Sequence, residues 1–198
     1  MSYPAARLAL TYDDYLEWEN HQPDRHEYIG GEVFAMSGTS DRHNEISLNL
    51  ATLLRQHLRG TPCRVYMIDV KAQVEAADCC FYPDAQVTCA ESDLTDRYAK
   101  RSPVLVVEVL SESTAAFDLG KKFAAYQQLD SLWEYVLVDQ ERIRVPIFHQ
   151  QEGRWWADNI GPGGRLRLES VDLDCPIEVL YENLSAPIPV EPPVPAAR

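Results

Sequence analysis

Positive charge is scarce in this sequence: 18 lysines and arginines stand against 31 aspartates and glutamates, a formal net charge of −13 over 198 residues. That balance argues against a broad basic face, because phosphate neutralisation by Lys and Arg supplies most non-specific nucleic-acid affinity. It leaves room for a local basic groove, and for a site whose carboxylates are offset by a divalent cation. Long apolar runs are also missing. No window approaches the roughly 18 to 20 uncharged apolar residues of a membrane span, and "MSYPAARLALTYDDY" has too short an apolar stretch for a secretory signal. A cytoplasmic protein with no membrane partner is expected. The five cysteines (Cys63, Cys79, Cys80, Cys89, Cys175) contain no CxxC pair of the zinc-binding kind, and their odd number points to free buried thiols.

What is present suits one globular unit. The hydrophobic fraction is 45%, and the length is about one domain's worth. A single domain over 1–185 is expected, followed by a proline-rich tail over 186–198 ("APIPVEPPVPAAR") without a core of its own. Thr11 followed by Asp14 predicts a capped short helix that ends before Pro23. Gly30-Gly31 predicts a hairpin turn between strands near 26–29 and 32–36. Helical spacing of Ile46, Leu50, Leu53, Leu54 and Leu58 predicts a long helix over 41–59. Strands are expected near 63–75, 82–89 and 104–110, the last ("VLVVEVL") apolar enough to be buried on both faces. A helix over 118–129 and a strand over 133–139 then predict a parallel crossover. Short antiparallel strands near 142–149, 154–157 and 165–169 complete the reading.

Two carboxylates require explanation. Asp84, in "FYPDAQVTCA", stands at the mouth of an alternating strand, where a turn aspartate would also fit. Glu108 interrupts the most apolar strand, and an ionised carboxylate there needs a partner, a set of hydrogen bonds or a metal. Lys122 shares a helical stripe with Leu119, Tyr126 and Leu129, so it either snorkels along the apolar face or reaches toward Glu108; Lys121 is turned about 100° away. His43 shares its face with Ile46, Leu50 and Leu54 and reads either as a core-edge histidine or as a site residue.

From "HEYIGGEVFAMSGTSDRHNEISLNL" through "YPDAQVTC" and "PVLVVEVLSESTAAFDLGKKFAAYQQLDSLWEYVLVD", and on toward residue 180, the chain resembles the Uma-two family of restriction-endonuclease-like proteins. That family is regarded as a branch of the PD-(D/E)XK nuclease superfamily. The resemblance implies an α/β, restriction-endonuclease-like core, a mixed central β-sheet flanked by helices. It further implies that Asp84, Glu108 and the backbone carbonyl of Val109 bind Mg2+ or Mn2+. The "ExK" element reads "EVL" here, with Leu110 in the lysine's place, and Lys122 matches a lysine moved to the following helix. Glu27 and His43 match positions that orient water, metal or phosphate. The "DVK" at 69–71 spells a D-x-K but precedes the PD, and a salt-linked pair on a solvated strand accounts for it.

Two functions follow as expectations: a metal-dependent endonuclease acting on duplex DNA, or a non-catalytic binding module on the same fold. Lys100, Arg101 and Lys121 are the basic residues expected to meet the phosphate backbone. A homodimer is expected from the superfamily's habit of cutting two strands, with Trp155, Trp156, Leu180 and Tyr181 as its aromatic and apolar contact.

Overall fold

The computed structural model describes residues 10–36, 38–186 and 188. Most of the proline-rich tail expected over 186–198 lies outside the described residues. Helix α1 (Tyr12–Glu19) begins at Thr11, whose hydroxyl accepts from the Asp14 amide while the Asp14 carboxylate accepts from the Thr11 amide. Strands β1 (His26–Ile29) and β2 (Glu32–Ala35) form the hairpin, turned by Gly30 and Gly31 at φ +54° and +90°. These are left-handed values that glycine alone adopts without strain. Helix α2 (Asp41–His57) follows, capped by Ser40.

The strand expected over 63–75 is broken into β3 (Arg64–Met67) and β4 (Lys71–Val74), whereas the one expected over 82–89 is the single β6 (Ala85–Thr88), preceded by a strand that was not expected, β5 (Cys79–Phe81). β3 pairs with β6 and β4 with β5, but the two pairs lie in different sheets. Ile68 at φ +44° bends one chain, and "YPD" at 82–84 bends the other. Pro83 has no amide to give a ladder, so a continuous strand is interrupted where it stands. The bend that places Asp84 is thus the point where the ribbon leaves one sheet for the other.

A short helix, α3 (Glu91–Thr95), and β7 (Ala99–Lys100) lead to β8 (Pro103–Leu110). The following helical segment comprises α4 (Ala115–Phe117), a π-turn over Asp118–Lys122 and α5 (Phe123–Tyr126). β9 (Glu134–Asp139) returns parallel to β8, as the crossover pattern predicts. β10 (Val145–Gln151), β11 (Arg154–Ile160), β12 (Arg165–Leu168) and β13 (Leu173–Pro176) complete the strands. The sheets run β2-β1-β5-β4-β7, then β11-β10-β9-β8-β6-β3, with β12-β13 as a separate pair.

β8 is central and buried on both faces. Leu105, Val107 and Val109 face α2 and join Ile46, Leu50 and Leu54; Val106 faces the other side with Tyr126, Tyr135 and Phe81. The period-two alternation of a strand therefore sends Glu108 to the second side, toward the π-turn. Burying twenty side chains in the cluster on the α2 side and eleven in the one opposite supplies the dominant stabilising term, at roughly 1.5–3 kcal/mol per large apolar side chain.

Several expectations change. Cys63 and Cys89 form a disulfide, while Cys79, Cys80 and Cys175 are free and buried. The two bonded residues are 26 apart in sequence but adjoin the paired ends Arg64 and Thr88 of β3 and β6. Leu119 is 46% exposed rather than inward. The wider π-turn breaks the regular 3.6-residue stripe there, so Asp118 and Lys122 are buried instead. Leu180 is fully buried in the chain's own core and is not a surface contact, while Tyr181 is half-buried, its hydroxyl donating to the Asp139 and Arg144 carbonyls. Trp155 packs edge-on against Phe123, whereas Trp133 and Trp156 are exposed. Among the described residues no helix is long and apolar enough to cross a membrane.

Candidate active site

The bend before β6 and the end of β8 meet by register. Ala85 pairs with Val107, which brings Asp84 against the Glu108–Val109 step. The Val109 amide donates to Asp84 Oδ2 over 2.7 Å. In an extended strand the N–H and C=O of one residue point to the same edge, so the Val109 carbonyl faces the Asp84 side of β8. His43, in the first turn of α2, places Nε2 3.2 Å from the same Asp84 oxygen. Ser40 caps that turn by accepting from the His43 amide, and the Ser47 hydroxyl donates to the His43 carbonyl.

Lys122 joins the two sheets. Its ammonium lies 2.9 Å from Glu108 Oε1 on β8 and 2.8 Å from Glu27 Oε1 on β1, with Asp118 Oδ1 at 3.8 Å. Glu27 also accepts from the Tyr82 amide at 3.4 Å, which ties β1 to the bend preceding Asp84. The Tyr126 hydroxyl lies 3.4 Å from Glu108 Oε1, and the Lys122 ammonium stands 5.4 Å from the centre of the Phe81 ring. Every sequence-predicted site residue is therefore in one neighbourhood, as two linked groups: His43–Asp84–Val109 and Glu27–Lys122–Glu108.

Asp118 was not anticipated, and its signal was weak: it lies four residues before Lys122, a spacing that puts both on one helix face. Lys71, the lysine of "DVK", is buried rather than solvated; it lies beneath the Tyr82 ring, and burial lowers its pKa. No Lys71 ion pair joins it to Glu108 or Asp84 among the described residues, whereas Lys122 makes one with Glu108.

Charge in the neighbourhood is unbalanced. Glu27, Asp84, Glu108 and Asp118 are four carboxylates around one lysine. Burial pushes the Glu108 pKa well above its ordinary value; Lys122 pulls it back, and Asp118, Asp84 and Glu27 add to the rise. Asp118 is raised in the same way, by burial first, with Lys122 opposing. Burial works against the Lys122 ammonium, but Glu108, Glu27 and Asp118 outweigh it and hold Lys122 well above its usual range. A further cation would relieve this surplus of acid. Among the described residues no three His, Cys, Asp or Glu side chains form a ready-made metal cage. Magnesium does not require one: it keeps several waters and is commonly held by one or two carboxylates plus substrate phosphate. The donor set of Asp84, Glu108 and the Val109 main chain fits that chemistry.

The fold places the chain among nuclease-like α/β proteins. A solved structure from Anabaena variabilis ATCC 29413, described as "a putative nuclease belonging to DUF820", superposes with a TM-score of 0.72 over 87% of this chain and 97% of that one, at 16% identity. Residues 12–178 match the Uma2 family, described as "Putative restriction endonuclease", and the chain belongs to that family. Two proteins of Synechocystis sp. (strain ATCC 27184 / PCC 6803 / Kazusa) are similar across most of their length. "Uncharacterized protein slr1290" is 37% identical over 89% of this chain and 93% of its own. "Uncharacterized protein sll1609" is 33% identical over 79% and 89%.

Proposed function

We propose that this protein is a metal-dependent endonuclease that hydrolyses phosphodiester bonds of duplex DNA. The observation that carries the reading is convergence: Glu27, His43, Asp84, Glu108 and Lys122 come from five separate segments and meet around the Asp84 bend and the Glu108–Val109 step of β8. Asp84 and Glu108, with the Val109 carbonyl, would hold Mg2+ or Mn2+. Such an ion supplies charge to the phosphoryl oxygen and lowers the pKa of its own water.

The chain's own groups have distinct tasks. His43 and the Val109 amide fix one oxygen of Asp84 and leave the other for a ligand. Glu27 anchors the Lys122 ammonium from the opposite sheet, so that it stays beside Glu108 and faces the negative charge that grows on a phosphate there. Cleaving both strands calls for two such sites related by a two-fold axis, so the working form is a homodimer; the exposed Trp133 and Trp156 are the surface suited to it.

A second reading, a non-catalytic binding module, is favoured by the closure of the site, since Glu108 and Lys122 are each only 4% exposed. One experiment separates the two: incubation of duplex DNA, single-stranded DNA and RNA with wild type and Asp84→Ala in magnesium or manganese. The nuclease reading expects metal-dependent cleavage by wild type that Asp84→Ala lacks. Absence of cleavage of every substrate, or equal cleavage by both proteins, overturns it.

A further inference from the structure

Two of the three basic residues expected to hold phosphate are otherwise engaged. Lys100 is 1% exposed; its ammonium donates to the Asp93 and Asp96 carbonyls and lies 4.4 Å from the centre of the Tyr66 ring. Arg101 pairs with Asp96 at 2.7 Å and Glu75 at 3.1 Å. Arg25, Arg42, Arg165 and Arg167 likewise face carboxylates. In a chain of net charge −13, a cluster of arginines without acidic partners is therefore conspicuous.

One such cluster lies at the far end of α2. Arg55 and Arg59 are exposed and form no ion pair among the described residues. Gly60, at φ +84°, turns the chain so that Arg64 at the start of β3 joins them around a groove of about 570 Å3. No aspartate or glutamate lines this groove. Arg64 is held in place, since its Nη1 donates to the Thr61 and Cys63 carbonyls over 2.8 Å each. A guanidinium fixed on one edge still offers its other N–H groups to a planar or tetrahedral anion. The dipole of α2 accounts for basic residues in its last turn, but not for Arg64, which belongs to a strand.

His43 and Arg55 are twelve residues apart on one helix, which is about 18 Å along its axis at 1.5 Å per residue. The groove is thus separate from the carboxylates, yet fixed relative to them by a rigid element. That span corresponds to about five base-pair steps of duplex DNA.

We propose that the Arg55–Arg59–Arg64 groove is a second phosphate-binding site, which holds the backbone of a nucleic-acid duplex about 18 Å from the site that carries Asp84. The proposal rests on the nuclease reading for the identity of its ligand, while the groove itself stands on geometry and charge alone. Phosphate contacts of this kind position a duplex without reading its sequence.

The test is fluorescence anisotropy with a labelled duplex of about 20 base pairs, in EDTA, using Asp84→Ala as the parent so that nothing is cut. Affinity is measured between roughly 50 and 200 mM salt, where each lost phosphate contact flattens the log–log salt slope by about 0.9. Adding Arg55→Ala and Arg59→Ala is expected to flatten the slope by about 2 and weaken binding about tenfold at the lower salt. Arg64→Ala is expected to flatten it by about 1 more, and Arg55→Lys with Arg59→Lys to retain most of the parent slope. Should thermal unfolding show the alanine pair to be misfolded, the Arg55→Gln and Arg59→Gln pair replaces it with the same expectation. Unchanged affinity and slope in the neutral variants overturns the proposal. So does displacement of the duplex by inorganic phosphate at equal phosphate concentration, which would assign the groove to small anions. A wild type that binds through the groove but cuts nothing in magnesium or manganese would count against the nuclease reading and leave the groove standing.

Discussion

Lys122 and Glu108 form a buried ion pair of 2.9 Å, and the same ammonium reaches Glu27 on the other sheet at 2.8 Å. The lysine is therefore both a structural clamp and the cation of the candidate site. Removing it would leave Glu27, Glu108 and Asp118 facing one another without a positive partner. Breaking a buried pair from one side costs about 3–5 kcal/mol. Lys122→Met should accordingly lose stability of that order in urea unfolding at neutral pH, and manganese should restore part of it. A loss below about 1 kcal/mol would show that the clamp is not formed.

Glu108→Gln should be milder, because Lys122 retains Glu27 and the surplus of acid falls by one. Its effect belongs to metal binding instead. Titration calorimetry with manganese should show at least a tenfold weaker affinity for Glu108→Gln and for Asp84→Asn, a lower bound taken from the loss of groups that merely orient ligands. Equal affinity in wild type and both variants would remove these carboxylates from the metal.

Much of this arrangement was legible in the sequence where the signal is local. Thr11 with Asp14, Gly30 with Gly31 and the apolar flanks of Glu108 each act within a few residues, and each element formed as read. Asp84, Glu108 and Lys122 were singled out by the family resemblance, while helical spacing left Lys122 either snorkelling or inward and wrongly turned Leu119 inward with it. The contacts that close the site are long-range: Glu27 meets Lys122 across 95 positions, which no periodicity reports. The bend at Ile68 splits 63–75, which reads as one strand because a single left-handed residue leaves no mark on a strand-like pattern, and its two parts, β3 and β4, enter different sheets. Lys100 looked like a surface cation, since its burial against Tyr66 and two carbonyls depends on how β3 and β7 pack. The Cys63–Cys89 bond is set by the antiparallel register of β3 and β6, and cysteine counting carries no register.

The raised carboxyl groups predict a pH dependence with a definite sign. Glu108 and Asp118 have folded-state pKa values above their ordinary 4.5 and 3.8, so the native state binds more protons than the unfolded chain between the ordinary and the raised values. Without metal, their contribution to stability must therefore fall as pH rises through that window. Metal binding runs the other way, because Glu108 has to lose its proton to become a ligand. Manganese affinity should rise with pH with a midpoint above 4.5. A midpoint at or below 4.5 would contradict a buried, acid-crowded Glu108.

The homodimer is checked by light scattering. A 22.5 kDa species alone across micromolar concentrations would reject it, whereas a species of twice that mass that Trp133→Glu or Trp156→Glu splits is the expected outcome.

The disulfide makes the last prediction. Cys63 and Cys89 close the Arg64–Thr88 end of the pairing of edge strand β3 with β6, and β3 contributes Arg64 to the basic groove. Closing a loop of 26 residues removes unfolded-state entropy worth about 3.5 kcal/mol in the chain-entropy account. For a chain of this size, each kcal/mol shifts the melting temperature by about 2–4 °C. Dithiothreitol should thus lower the melting temperature of wild type by roughly 10 °C, and Cys63→Ser with Cys89→Ser should melt at that lower temperature with no further response to reductant. The buried thiols Cys79, Cys80 and Cys175 form no disulfide and provide the control, since their replacement should leave the reductant effect intact. Equal melting of oxidised and reduced wild type, with all five thiols titrating in the unfolded untreated protein, would show that the bond does not form.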